Sequence, residues 1–264
     1  MEDLPRLGLG TWQITGPECV DAVSQALEIG YRHIDTARAY ENELEVGRGL
    51  AESGVPRDEI FVTTKVPHTR LKPDQVRESA ESSLRDLGLD RVDLILAHWP
   101  NPDVPLQDTL EAFVRLQEEG LTQLIGVSNF PPGLFAQALE LAPIATNQVE
   151  YHPFLGQDRL LELAEEHDAF ITAYSPLAHG KVADDALLQE IGASHGKSAG
   201  QVALRWLLDQ PRVVAVPKAA STARRAENLD VFDFELTPEE RARIAALPKD
   251  RREIDPPWAP DWNA

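Results

Sequence analysis

One cysteine, one methionine and six lysines in 264 residues set the first limits on this chain. With Cys19 alone, no disulfide can form within the chain, which fits a reducing compartment. No apolar run approaches the roughly 20 residues needed to cross a bilayer. The opening Met1-Glu2-Asp3-Leu4-Pro5 lacks the basic-then-apolar order of a secretion signal, so a cytoplasmic protein is expected. Positive charge is also scarce: 25 Lys and Arg stand against 44 Asp and Glu, a formal net charge of −19. That argues against a nucleic-acid binder, which needs a basic face, and against docking on anionic lipid at a membrane. An acidic, lysine-poor surface suits hydration in concentrated salt. A halophilic or salt-tolerant host is one expectation, and an ordinary acidic cytosolic enzyme is the other. Linkers, low-complexity tracts and charge blocks are missing as well. One domain over residues 1–264 is therefore expected, and the 42% hydrophobic content is enough for its core.

What is present is an alternation of strand-like and helix-like segments from end to end. The strand candidates are Leu7–Gly10, His33–Asp35, Ile60–Lys65, Val92–His98, Leu124–Val127, Thr146–Val149, Phe170–Tyr174 and Val213–Pro217. Between them apolar residues recur at helical spacing, as in Val20, Val23, Ala26, Leu27 and in Val76, Ala80, Leu84, Leu87. Eight such repeats predict an α/β fold of the (β/α)8 TIM-barrel type. The rival is an open doubly wound sheet. That fold announces its phosphate site with a glycine-rich turn after the first strand, and Gly8-Leu9-Gly10-Thr11-Trp12-Gln13 lacks the third glycine. Residues 237–247 read as an extra C-terminal helix, with Thr237 as N-cap, Pro238 at the first position and Glu240 closing a capping box. The tail from Arg251 to Ala264 is expected near the barrel mouth, with Trp258 and Trp262 covered.

Barrel enzymes carry their chemistry at the C-terminal ends of the strands. Here those ends read Asp35, Lys65, His98, Ser128-Asn129, Gln148, Tyr174-Ser175 and Lys218, with Tyr40 just past the second. Any one of these could be ordinary loop capping or a packed ion pair; the joint pattern carries the argument. A free phenol, with a pKa of about 10, is a poor donor at neutral pH. A nearby ammonium would lower that value, so Lys65 is expected to activate Tyr40, Asp35 to hold Lys65, and His98 to orient a substrate oxygen. Such a set suits protonation of an oxygen as charge develops on it. A metal-dependent hydrolase is a rival enzyme, drawing on His33, Asp35, His98, His152 and His179. The His spacing matches no metal motif, so no metal is expected and His33 is expected to pack behind its strand.

Several segments resemble the aldo-keto reductase family. Gly30-Tyr31-Arg32-His33-Ile34-Asp35-Thr36-Ala37 with Tyr40, Asn42-Glu43 and Val46-Gly47 resembles its first signature. Ile125-Gly126-Val127-Ser128-Asn129-Phe130 resembles the second, and Val216-Pro217-Lys218 with Arg224 and Glu227-Asn228 the third. Leu96-Ala97-His98-Trp99-Pro100 and Ala173-Tyr174-Ser175-Pro176-Leu177 also fit. The resemblance implies a catalytic Asp35, Tyr40, Lys65 and His98, with Tyr40 as general acid, and a nicotinamide cofactor across the barrel mouth. Tyr174 would stack on the nicotinamide, Ser128, Asn129 and Gln148 would bind its carboxamide, Ser175 and Leu177 would line the pyrophosphate, and Gly10 and Thr11 would also contact the cofactor. Lys218, Ser221 and Arg224 would meet the 2′-phosphate of NADP(H), and Glu227 and Asn228 the adenine. Ala219 stands where the family carries Ser or Thr, so NADP(H) is expected to be preferred with NAD(H) tolerated. The N-terminal hairpin of many relatives is expected to be absent or truncated. The short prokaryotic members that reduce small aldehydes, ketones and diketo sugar acids, the diketo-gluconate reductase-like group, are the nearest in kind. The implied partner is a small carbonyl substrate, bound by a monomer in a pocket shaped by Trp12, Tyr40, His98, Trp99 and Trp258, and more open at Pro67-His68. A non-enzymatic, nicotinamide-binding regulator on the same scaffold is the remaining alternative.

Overall fold

The computed structural model describes residues 4–263. Eight parallel strands follow one another in sequence order: β1 (Leu9–Gly10), β2 (His33–Asp35), β3 (Phe61–Val66), β4 (Val92–Ala97), β5 (Thr122–Ser128), β6 (Ile144–Glu150), β7 (Phe170–Tyr174) and β8 (Val213–Ala215). The sheet closes on itself. Leu7 and Gly10 bridge Ala215 and Lys218, and the Gly8 and Ala215 amides donate to the Ala215 and Arg6 carbonyls at 2.8 and 2.9 Å. The result is a (β/α)8 TIM barrel, in which the helices cover the outside and the strand edges disappear.

The helices are α1 (Gly16–Glu28), α2 (Glu43–Glu52), α3 (Pro73–Leu87), α4 (Leu106–Glu118), α5 (Pro132–Leu141), α6 (Asp158–Glu166), α7 (Ala186–His195), α8 (Ala199–Leu208), α9 (Thr222–Leu229) and α10 (Pro238–Ala245). Proline opens α3, α5 and α10, where the missing N–H would have had no partner in any case. The extra helix α10 forms as its sequence predicts, with Thr237 and Glu240 capping each other's backbone amides. No helix among the described residues is long and apolar enough to cross a membrane.

Alternation along the strands divides the interior. Ile34, Val62, Ile95, Ile125 and Val127 face the helices and join one large core. Leu94, Leu96 and Ala145, with Phe61 and Leu124 against them, form a separate smaller cluster that fills the cylinder. His33 belongs to this inner space rather than behind the strand. Its Nε2 meets the Thr63 hydroxyl at 3.0 Å, its ring is edge-on to Phe61, and a Cβ on Gly8 would sit 2.8 Å from it. Burial pushes the imidazole of His33 down to about 4, so it is neutral at physiological pH. Cys19, on α1, is fully buried, and burial with Glu45 and Glu18 nearby pushes its thiol up to about 12.

Several expectations are corrected here. Strand 1 is only two residues long, with Leu7 an isolated bridge, and strand 8 stops at Ala215, two places before Pro217, which has no N–H to continue the ladder. The expectation of an absent or truncated N-terminal hairpin needs no correction: none precedes β1 among the described residues, and Met1–Asp3 lie outside them. Trp258 is 56% exposed rather than covered, although one ring face stacks on His68. That stack stands where Pro67-His68 was expected to leave the pocket open. The tail closes the gap instead.

Candidate active site

A cavity of about 1160 Å³ opens at the C-terminal ends of the strands. Asp35, Tyr40, His98 and Trp99 line one end of it, and Lys218, Arg224, Glu227 and Asn228 the other. Gly10, Ser128, Asn129, Gln148, Tyr174, Ser175 and Leu177 lie along the same wall.

The reacting end is built on three neighbouring strands. β2 ends at Asp35, in register with Thr63 of β3, and β3 carries Lys65, in register with Leu96 of β4. Both side chains are buried, and Lys65 Nζ donates to Asp35 Oδ1 at 2.6 Å and to the Thr36 carbonyl at 2.8 Å. The other Asp35 oxygen accepts from Gln148 Nε2 at 2.7 Å. A buried ion pair is costly unless every remaining lone pair and proton is satisfied, and this one is well supplied. Tyr40 follows β2 on a single 3-10 turn, Arg38–Tyr40, braced by Arg38 on Glu43 and Asp86. Lys65 Nζ reaches the Tyr40 hydroxyl oxygen at 3.4 Å, and the ammonium lies 5.0 Å from the ring centroid. His98, just beyond β4, packs edge-on against Tyr40 with centroids 5.6 Å apart.

The protonation states follow from burial first and neighbours second. Burial, then the Asp35 charge, holds the Tyr40 phenol well above its usual pKa. This reverses the expectation that Lys65 would lower it. Desolvation outweighs the ammonium 3.4 Å away, and Asp35 has already neutralised much of that charge. Burial also lowers Lys65, against the opposing pull of Asp35. Burial, then Lys65, holds His98 well below its usual value. At neutral pH the cluster therefore presents a protonated phenol and a neutral imidazole.

The cavity wall is held by its own network. The Tyr174 hydroxyl donates to Asn129 Oδ1 at 2.7 Å, Asn129 Nδ2 donates to the His98 carbonyl at 2.9 Å, and the Ser128 hydroxyl donates to the Gln148 carbonyl at 2.8 Å. Asn129 and Ser175 immediately follow β5 and β7 in left-handed backbone (φ 62° and 46°), a strained conformation that aims each residue at the mouth. At the far end Lys218 and Arg224 are exposed and have no ion-pair partner among the described residues, in a chain of net charge −19. Trp12 contributes the opposite rim, with His179 6.1 Å from it.

Two predicted positions fall elsewhere. Thr11 is fully buried below the cavity floor; its hydroxyl donates to the Asp35 carbonyl at 3.1 Å. Ser221 caps α9, its hydroxyl accepting from the Arg224 amide, and it stands outside the lining. The histidines proposed for a metal are dispersed, and no group of three or more His, Cys, Asp or Glu that could hold a metal ion occurs among the described residues. The sequence reading missed Glu150. This fully buried carboxylate at the end of β6 accepts the Glu253 and Ile254 amides at 2.7 and 2.9 Å and His152 Nε2 at 2.9 Å. It fastens the tail whose residues Glu253–Pro256 line the cavity. An acidic residue at the end of an apolar strand, two places after Gln148, was the available signal.

The sequence pattern of the Aldo/keto reductase family matches residues 6–249, and the chain belongs to that family. Among curated relatives it is 38% identical to methylglyoxal reductase DkgB of Escherichia coli O157:H7, over 98% of this chain and 99% of that one. It is 43% identical to 9,11-endoperoxide prostaglandin H2 reductase of Trypanosoma cruzi, over 94% and 89%. Among solved structures, a protein assigned as a 2,5-diketo-D-gluconic acid reductase B superposes with a TM-score of 0.97 at 44% identity, covering 99% of this chain and 95% of that one. The chain is thus an oxidoreductase of the carbonyl-reducing, aldo-keto type, close to the prokaryotic diketo-gluconate reductase B group. The hydrolase and non-enzymatic alternatives give way to that class.

Proposed function

We propose that the protein reduces small aldehydes and ketones, α-oxoaldehydes and diketo sugar acids foremost, using NADP(H), with Tyr40 as the general acid. One observation carries the reading: a single cavity joins the Asp35–Lys65–Tyr40–His98 cluster to the unpaired cations Lys218 and Arg224. The residues fit a phosphorylated dinucleotide. Two uncompensated cations in a strongly acidic protein are a place for a dianion, and the partly buried Tyr174 ring offers a flat face in the cavity lining. A bound reduced nicotinamide supplies the hydride that goes to the carbonyl carbon.

The chain's own part is to hold and move one proton. Tyr40 is kept protonated by burial, so its O–H is available to the carbonyl oxygen as negative charge gathers there. When the proton leaves, the Lys65 ammonium at 3.4 Å faces the phenolate and stabilises it. Asp35 and the Thr36 carbonyl keep that ammonium from swinging away. The neutral imidazole of His98 orients the same oxygen by a hydrogen bond, without adding a charge that would bind the substrate equally before and during reaction. In the same reading Ser128, Asn129 and Gln148 hold the carboxamide, Ser175, Leu177 and Gly10 the pyrophosphate side, Glu227 and Asn228 the adenine, and Trp12 and Trp99 the substrate. Ala219 offers no hydroxyl to the 2′-phosphate, so NADH serves as a weaker donor. One monomeric barrel domain adapted to high salt completes the proposal.

The test is a spectrophotometric screen of NADPH and NADH oxidation with methylglyoxal, simple aldehydes and a diketo sugar acid, in dilute buffer and in molar salt. The proposal expects turnover with NADPH preferred and greater activity in salt. Equal or better catalytic efficiency with NADH would overturn the cofactor preference. Undiminished activity and secondary structure in dilute buffer, with no gain from salt, would remove the halophilic part alone.

A further inference from the structure

Beside the exposed pair Lys218 and Arg224 lies a third cation that faces inward. Arg225 is 2% exposed, the largest of the fully enclosed side chains. It has no carboxylate partner among the described residues. Its guanidinium is spent on the loop that follows Lys218: one nitrogen donates to the carbonyls of both Ala219 (3.1 Å) and Ala220. The other donates to Gln25 Oε1 on α1 at 2.7 Å and to the Thr222 hydroxyl at 3.1 Å, and Thr222 itself donates to Gln25 at 2.7 Å. From behind, the Tyr31 hydroxyl donates to the Arg225 carbonyl at 3.0 Å. The Nε–H has no partner among the described residues.

This is a costly way to fill space. An enclosed charge with no ion-pair partner is penalised unless hydrogen bonds compensate it, and an aliphatic side chain would fill the position without that penalty. Two consequences of the arrangement bear on the neighbouring surface. In a planar trans peptide the carbonyl and the next amide point in opposite directions. With the Ala219 and Ala220 carbonyls drawn onto Arg225, the amides of Ala220 and Ser221 turn away from it, and neither has a backbone acceptor among the described residues. In addition, a fixed positive charge lies one residue from Arg224 in sequence and one hydrogen bond from the residue after Lys218. Ala219 is the position at which no side-chain hydroxyl is available.

We infer that Arg225 is a positioning residue for recognition of the nucleotide's 2′-phosphate: it sets the 218–221 loop and adds an enclosed charge behind it, offsetting the missing hydroxyl at Ala219. The inference rests on the NADP(H) reading above. It assigns discrimination between NADPH and NADH to a residue that touches neither nucleotide.

The test measures binding rather than turnover. Titration of the cofactor-free protein with NADPH and with NADH, followed by tryptophan fluorescence, gives two dissociation constants for each variant. Arg225→Met is expected to weaken NADPH about tenfold and NADH less than about twofold, and Arg225→Lys, which keeps charge but not the fork, to weaken NADPH about threefold. A merely structural role would move both nucleotides in parallel, and that outcome, or an unchanged NADPH/NADH ratio, overturns the inference. If Arg225→Met does not fold, Gln25→Leu, which frees one side of the fork without removing the charge, is read in the same way: a two- to threefold narrowing of the ratio is expected, roughly, and no narrowing overturns it. The two readings fail differently. Wild-type protein that binds NADPH no more tightly than NADH sinks the cofactor assignment itself, whereas wild-type discrimination that survives in Arg225→Met sinks only the role of Arg225.

Discussion

The two ends of the cavity handle charge in opposite ways. At the reacting end, Asp35 and Lys65 are enclosed, and their bonds run to each other, to Gln148 and to the Thr36 carbonyl. At the far end Lys218 and Arg224 are exposed and unpaired. An enclosed ion has to be satisfied by the protein itself, because no solvent can do so. A surface cation can wait for a ligand at little cost. The reacting end is thus complete before anything binds, and the far end is completed by what binds. Catalytic power should therefore depend on the first, and choice of cofactor on the second.

The sharpest break in that contrast is Tyr40→Phe. It removes the only hydroxyl that Lys65 contacts in the cluster, and kcat is expected to fall by about a thousandfold, within the usual range for a lost general acid. NADPH affinity by fluorescence titration should stay within about twofold, since the wall and the cations are untouched. A variant with wild-type turnover would show that the proton comes from elsewhere. Next in size is Lys218→Met, which should raise the dissociation constant for NADPH by ten- to a hundredfold, roughly the worth of one charge-assisted bond, while NADH binding hardly changes. If both nucleotides weaken alike, the far end is not selecting a phosphate.

The last effect concerns the stability of the fold rather than its chemistry. His33 lies in the cylinder beneath Asp35, with its imidazole lowered from 6.5 to about 4 by burial. An unfolded chain takes up a proton at this site below pH 6.5, and the folded one does not until about pH 4. The contribution is therefore fully present above 6.5 and is lost progressively as pH falls through that window, on the order of 3 kcal/mol in all. Urea unfolding at pH 7 and pH 4.5 measures it. His33→Leu should flatten the acid-side slope, and an unchanged slope would assign the acid sensitivity to other groups.

Much of this was legible in the sequence, for a physical reason. Ile34, Val62 and Ile95 face the helices, so Asp35, Lys65 and His98, each an odd number of places further on, face the other way and meet at one rim. Thr237-Pro238-Glu239-Glu240 spells out its own cap. What could not be read were partners supplied from far along the chain. Glu150 meets amides about a hundred positions away, and Arg225 reaches back to Gln25 on the first helix. Thr11 is expected among the cofactor contacts, but it stands one place past β1 and its hydroxyl is taken by the Asp35 carbonyl. Ser221 is expected near the 2′-phosphate because it lies two places from Ala219, and local capping claims its hydroxyl. The direction of the Tyr40 shift was missed because a sequence shows neighbours but not the dielectric around them.

Cys19 has a practical use that follows from its place on the first helix. It is the chain's single sulfhydryl, enclosed in the core and far from ionising at neutral pH. An alkylating reagent should leave the native molecule untouched and react only during excursions that part the first helix from its surroundings. The rate of labelling then becomes a clock for those openings, built in without a mutation, and its slowing in the presence of added dinucleotide would report how far ligand binding tightens the whole shell.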